Sequence, residues 1–186
     1  MAPTAWSPEI RKLFASTEPP DLGPGPRAGA WSREQVNSAV DLLFDRLSPP
    51  EARRQLLRAL VLLWHDHLEP AHEIVQDGED ADSAYLHAIL HRREPDFSNA
   101  KYWFRRVGPH PCFGPLATEV SALLNTRGEA ALAARLLPQG RWDPIAFVDA
   151  CAEATGRSAN ELRTKLLGEI QSREFAGLAE HLCRTV

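Results

Sequence analysis

Five of the seven histidines in this 186-residue chain fall between positions 65 and 91: His65, His67, His72, His87 and His91. His87 and His91 are four apart, so on a helix they project from one face, and two imidazoles so placed can share a metal ion. If helices over 67–77 and 82–93 form an antiparallel hairpin about the short turn at Gly78, residues whose numbers sum to about 159 lie level. His72 then faces His87, and His91 comes level with Leu68, near His67. One reading of this spacing is a divalent metal ion on His72, His87 and His91, with a water activated at an open position. Glu69 or Glu73 could add a carboxylate. Glu94 continues the His87–His91 stripe, but seven residues of helix rise about 10 Å, which makes it a poor third ligand unless the helix unwinds at Pro95. The competing reading is that these histidines hydrogen-bond within a polar helix interface or lie on a solvated face. His72-Glu73-Ile74-Val75-Gln76 ends in glutamine where H-E-x-x-H needs histidine, which speaks against a metalloprotease.

A second group is basic and aromatic. Arg92, Arg93, Lys101, Arg105 and Arg106, with His110 nearby, are interleaved with Tyr102, Trp103 and Phe104. Arginine forks suit phosphate or carboxylate, and aromatic faces can stack a ring. The cations crowd the ends of one short hairpin loop and exceed the carboxylates near them in sequence. Arg92, Arg93, Lys101, Tyr102, Arg105, Arg106 and His110 are therefore the expected contacts of a small anionic ligand. The alternative pairs the arginines with Glu94, Asp96 or the acidic turn at Asp77, Glu79, Asp80 and Asp82, and puts Trp103, Phe104 and Val107 in the core. Nucleophilic chemistry has little support. There is no G-x-S-x-G, no G-x-x-x-x-G-K-[ST] and no G-x-G-x-x-G, and Pro111 limits how Cys112 and His110 can approach each other.

The elements that must carry these groups read as helices throughout. Prolines and glycines make 18–30 irregular, and residues 1–30 are expected to form an irregular, partly flexible segment before a single helical domain over 31–186. Ser32 with Gln35 is a capping box ahead of the stripe Val36, Val40, Leu43 and Leu47. Ser48-Pro49-Pro50-Glu51 opens a helix bearing Leu56, Leu57, Leu60, Leu63 and Trp64. Asp66 is expected to cap the helix of His72, and Asp82 or Ser83 to open that of His87. Pro95 should stop the latter, Asp96 cap the next, and Gly108 end it. Helices follow near 116–126 and 128–136, after Asp143-Pro144, and over 159–182 behind a Ser158–Glu161 box. With no sustained alternation of apolar and polar residues, the fold class is all-α: a single-domain, multi-helix bundle of helical hairpins.

Composition narrows the partners. Hydrophobic residues make up 44% and charged residues 25%, enough to bury a core, and the net charge of −4 opposes nucleic-acid binding. Cys112, Cys151 and Cys183 form no C-x-x-C pair, which suits reduced thiols, and no apolar run suggests a signal or a membrane span, so a cytoplasmic location is expected.

The segment SAYLHAILHRREPDFSNAKYWFRRV resembles a tetratricopeptide or Sel-like helical hairpin, with Ala84, Ala88 and Ala100 at close crossings. More specifically, the block from WHDHLEPAHEIVQ through HRREPD, Asn99 and YWFRRVG, with a later Trp142 to Cys151 segment, is similar to a family of uncharacterised bacterial and fungal proteins. That resemblance brings no activity with it. Two functions stay open on the residues alone: a helical protein with a polar His/Arg/aromatic cleft for a small anionic molecule or peptide, or a metal-dependent enzyme of hydrolase type on His72, His87 and His91.

Overall fold

The computed structural model describes residues 8–16, 18–47, 50–156 and 161–183, and among these the regular structure is helical, with no strand. The helices are α1 (Pro8–Leu13), α2 (Arg33–Leu47), α3 (Glu51–Trp64), α4 (Leu68–Val75), α5 (Ala81–Arg93), α6 (Phe97–Val107), α7 (Phe113–Thr126), α8 (Ala130–Leu136), α9 (Pro144–Ala154) and α10 (Leu162–Cys183). They pack as a bundle in which α3–α4, α4–α5 and α5–α6 are hairpin neighbours and α10 lies along α3, α7 and α9.

Local chemistry explains most of the boundaries. Ser32 and Gln35 make the reciprocal capping box of α2. Asp80 accepts from the Ser83 N–H at 2.9 Å, Asp96 from Asn99 at 3.1 Å, and Asp143 from Ile145 and Ala146, each meeting a free amide at a helix start. Gly108, at φ 62°, ends α6. Ser48, Pro49 and Ser158 lie outside the described residues.

Three expectations are corrected. Asp80, not Asp82 or Ser83, caps α5. Asp66 does not cap α4, whose N-cap is His67. Asp66 instead takes a left-handed φ of 66° and turns its carboxylate inward to arginines. Within the segment read as irregular and partly flexible, α1 is helical, and Ile10, Leu13 and Phe14 join the core. The stretch beyond α1 is tied to the helices: Gln171 donates to the Pro20 and Asp21 carbonyls, and Arg93 to that of Gly23.

The apolar side chains form two clusters. One joins α1–α6 to Phe175, Leu178, Ala179 and Leu182 of α10, and the other joins α7–α9 to Leu166, Leu167 and Ile170 of the same helix. No helix among the described residues is long and apolar enough to cross a membrane.

Candidate metal centre

α4 and α5 meet across a turn closed at Gly78. A Cβ there would collide with the Ser83 side chain, which Asp80 holds through both N–H and hydroxyl. That close approach fixes the register between the helices, and His72 lies opposite His87, their Nε2 atoms 2.9 Å apart. His91 stacks on His87 one turn along α5 at 4.7 Å between ring centroids, and its ring lies 5.5 Å from that of His72. One nitrogen from each of His72, His87 and His91 falls within 4.8 Å of the other two. Metal–nitrogen bonds of about 2.0–2.1 Å in a tetrahedral shell place ligand nitrogens about 3.3 Å apart, close to the His72–His87 spacing, and an ion seated there would displace the one ring proton that the two Nε2 atoms share in their hydrogen bond. His67, near which His91 was expected, turns away to the Trp31 carbonyl at 2.8 Å.

The surroundings favour a neutral His87. His87 is buried, and its pKa falls from 6.5 to about 4 because burial opposes its charge and His91 and His72 add to that opposition. Trp103 of α6 lies flat on the His87 ring at 4.0 Å. The Nδ1 of His87 has no hydrogen-bond partner among the described residues. Nδ1 of His91 lies 2.9 Å from Glu94 Oε2, and because a carboxylate can only accept, the Nδ1–H donates a hydrogen bond to it while Nε2 faces the Asn99 amide at 3.0 Å. A carboxylate behind a ligating histidine fixes the tautomer and makes the free nitrogen more basic. Sequence spacing judged Glu94 as a ligand and so missed it as the group that orients one. Asn99, which comes from the neighbouring helix, left no signal in the α4–α5 pattern. Glu69 and Glu73 are exposed and bond to none of the three histidines among the described residues.

A second cluster brings two histidines to one carboxylate. Asp82 Oδ1 lies 2.8 Å from His110 Nε2 and 2.9 Å from His181 Nε2, and the pKa of Asp82 is lowered because its bonds to these rings outweigh burial. Here the tautomer argues the other way. The Cys112 backbone N–H donates to His110 Nδ1 at 3.2 Å, which puts the ring proton on Nε2, where it points at Asp82. A metal ion would need that same nitrogen deprotonated. The cluster therefore reads as a hydrogen-bonded tie between α5, the α6–α7 connection and α10.

The expected anion site does not assemble as a unit. Arg92 is 1% exposed and Arg93 0%. Arg92 Nη2 meets Glu174 at 2.5 Å and Gln171 at 3.4 Å, while the guanidinium lies 4.6 Å over the Phe147 ring. Arg93 bonds Asp66 at 2.7 Å and the carbonyls of Leu63 and Gly23. The surplus of cations was a property of local sequence: carboxylates from α10 and from the α3–α4 turn neutralise these two. Lys101 reaches Asp149 of α9 at 2.7 Å, and His110 is buried on Asp82. Tyr102, Arg105 and Arg106 remain exposed on α6, with Arg106 5.4 Å over Trp103 and 5.9 Å over Tyr102. The thiols of Cys151 and Cys183 are pushed up to about 12 and about 11 by burial, the opposite of an activated nucleophile.

Comparison with protein-family models, with curated proteins and with solved structures found no match. Function rests on the chemistry of the site.

Proposed function

We propose that this is a metal-dependent protein that binds a zinc-class divalent ion through His72, His87 and His91 and leaves at least one coordination position for an exogenous ligand. The convergence of the three imidazoles, drawn from two helices whose register the Gly78 turn sets, carries this reading. The neutral state of His87 and the Glu94 carboxylate behind His91 support it, since ligation needs deprotonated, oriented nitrogens. Three neutral ligands leave the ion its full charge. Such an ion acidifies a bound water and polarises a carbonyl or phosphoryl oxygen, which is the chemistry of a hydrolase.

Titration of metal-free protein with zinc in a calorimeter tests this. The expected result is one ion per chain. His72→Ala or His87→Ala should weaken it by more than the ~10–100-fold expected for Glu94→Gln, because a lost ligand costs more than a lost outer partner. His181→Ala should leave it unchanged. No zinc uptake, or full retention in His87→Ala, overturns the reading.

A second reading keeps α6 as a docking face for an anionic segment, favoured by exposed Arg105 and Arg106, which make no ion pair among the described residues. An Arg105→Ala/Arg106→Ala protein that stays folded yet loses salt-sensitive retention on a phosphate-bearing matrix would support it; unaltered retention would dismiss it.

A further inference from the structure

The amide of Asn99 lies on the Nε2 side of His91, the side from which that nitrogen would ligate a metal ion. Asn99 sits half-buried in the first turn of α6, its backbone N–H held by Asp96 at 3.1 Å, so its Cα is anchored. Its Nδ2 lies 3.0 Å from His91 Nε2. Because Glu94 takes the proton side of His91, the Nε2 faces Asn99 as a lone pair, and the amide is the donor. An ion ligated by that lone pair would lie about 2.1 Å along the same line, leaving no room for an amide nitrogen at 3.0 Å. The two compete for one site, and the amide must swing aside when the ion enters. Anchored at its backbone, it stays beside the ion with a donor that has just lost its acceptor.

We infer that Asn99 governs the open coordination position: it guards the His91 lone pair without metal, and with metal bound it donates to a small anion seated on the ion. This rests on the metal reading above. The ligand class follows from charge. Three neutral histidines leave the cation unneutralised, Glu69 and Glu73 make no bond to the cluster among the described residues, and Glu94 is committed to His91. A small anion such as azide, bicarbonate or a single carboxylate matches a fully charged cation with one amide donor beside it.

The experiment uses the full chain loaded with cobalt(II), read by its visible ligand-field spectrum, with azide as the probe anion. Asn99→Ala should bind cobalt at least as tightly as the wild type, because a competitor is gone, while azide binding weakens about tenfold through loss of one donor to a charged ligand. Asn99→Asp, which puts a carboxylate where the amide was, should tighten cobalt and suppress the azide-dependent spectrum. A merely structural asparagine would not move the two constants in opposite directions. Unchanged cobalt and azide constants in both variants overturn the role of Asn99 and leave the metal reading standing. Absence of a cobalt spectrum in the wild type overturns both, and is separately visible.

Discussion

Two buried residues set the terms on which this chain is stable. Asp66 accepts from the Arg27 backbone N–H at 2.9 Å, from the Arg27 guanidinium at 2.6 Å and from Arg93 at 2.7 Å, with its side chain 2% exposed. Removing it leaves two sequestered cations facing each other, so Asp66→Ala should cost about 3–5 kcal/mol in urea unfolding followed by tryptophan fluorescence. His65 is held neutral from both sides: Trp31 N–H donates to its Nδ1 at 3.1 Å, and its Nε2–H donates to the Leu13 carbonyl. Burial lowers its pKa from 6.5 to about 4. The folded state thus refuses a proton that the unfolded chain accepts. The stabilisation is complete above about pH 6.5 and drains away as the pH falls toward about 4. Unfolding free energy measured across that window should fall with a slope that His65→Gln reduces by about one proton. Neither role could be read from spacing, because Arg27 is 39 positions from Asp66 and Leu13 is 52 from His65.

At the scale of elements, the α4–α5 hairpin decides whether the site exists. Its pairing rule, that numbers summing to about 159 lie level, placed His72 against His87, because a short turn between two helices leaves little freedom of register. Gly78 is where that freedom is removed, since any Cβ there meets Ser83. Gly78→Ala should therefore destabilise the protein by about 1–3 kcal/mol and also weaken zinc binding, an outcome that calorimetry on the folded variant separates from simple unfolding. Asp80→Ala, which removes the α5 cap, should cost about 1 kcal/mol in the same assay and leave the metal stoichiometry intact.

Across the whole molecule, α10 is the common wall. Leu166, Leu167 and Ile170 face one apolar cluster, Phe175 to Leu182 face the other, and Glu174 sits at the junction with Arg92. Tyr85 also donates to Glu174, at 3.2 Å, and its own pKa is pushed well above 10 by burial. Glu174→Leu alone strands a buried guanidinium and should lower stability by about 3–5 kcal/mol, whereas Arg92→Met with Glu174→Leu should recover most of the loss, because a fully apolar pair needs no desolvated charge. Chemical unfolding of the wild type and these two variants reads this directly. If the single variant is as stable as the double, the pair does not couple the two clusters.

Sequence alone determined the helical class, most helix ends and the facing of His72 and His87. These depend on residues within a few turns of one another: apolar stripes, Asp and Ser caps, a glycine turn. Tertiary structure decided the rest. It took Arg92 and Arg93 out of the expected anion site by supplying Glu174 and Asp66 from elsewhere, and set Glu94 behind His91 and Asn99 in front of it. It also tied His110 to Asp82 in the tautomer that excludes metal. The physical reason is common to all of these. A buried charge or ring nitrogen takes its state from whatever partner the packing brings within hydrogen-bonding distance, and that partner bears no fixed relation to its neighbours in the chain.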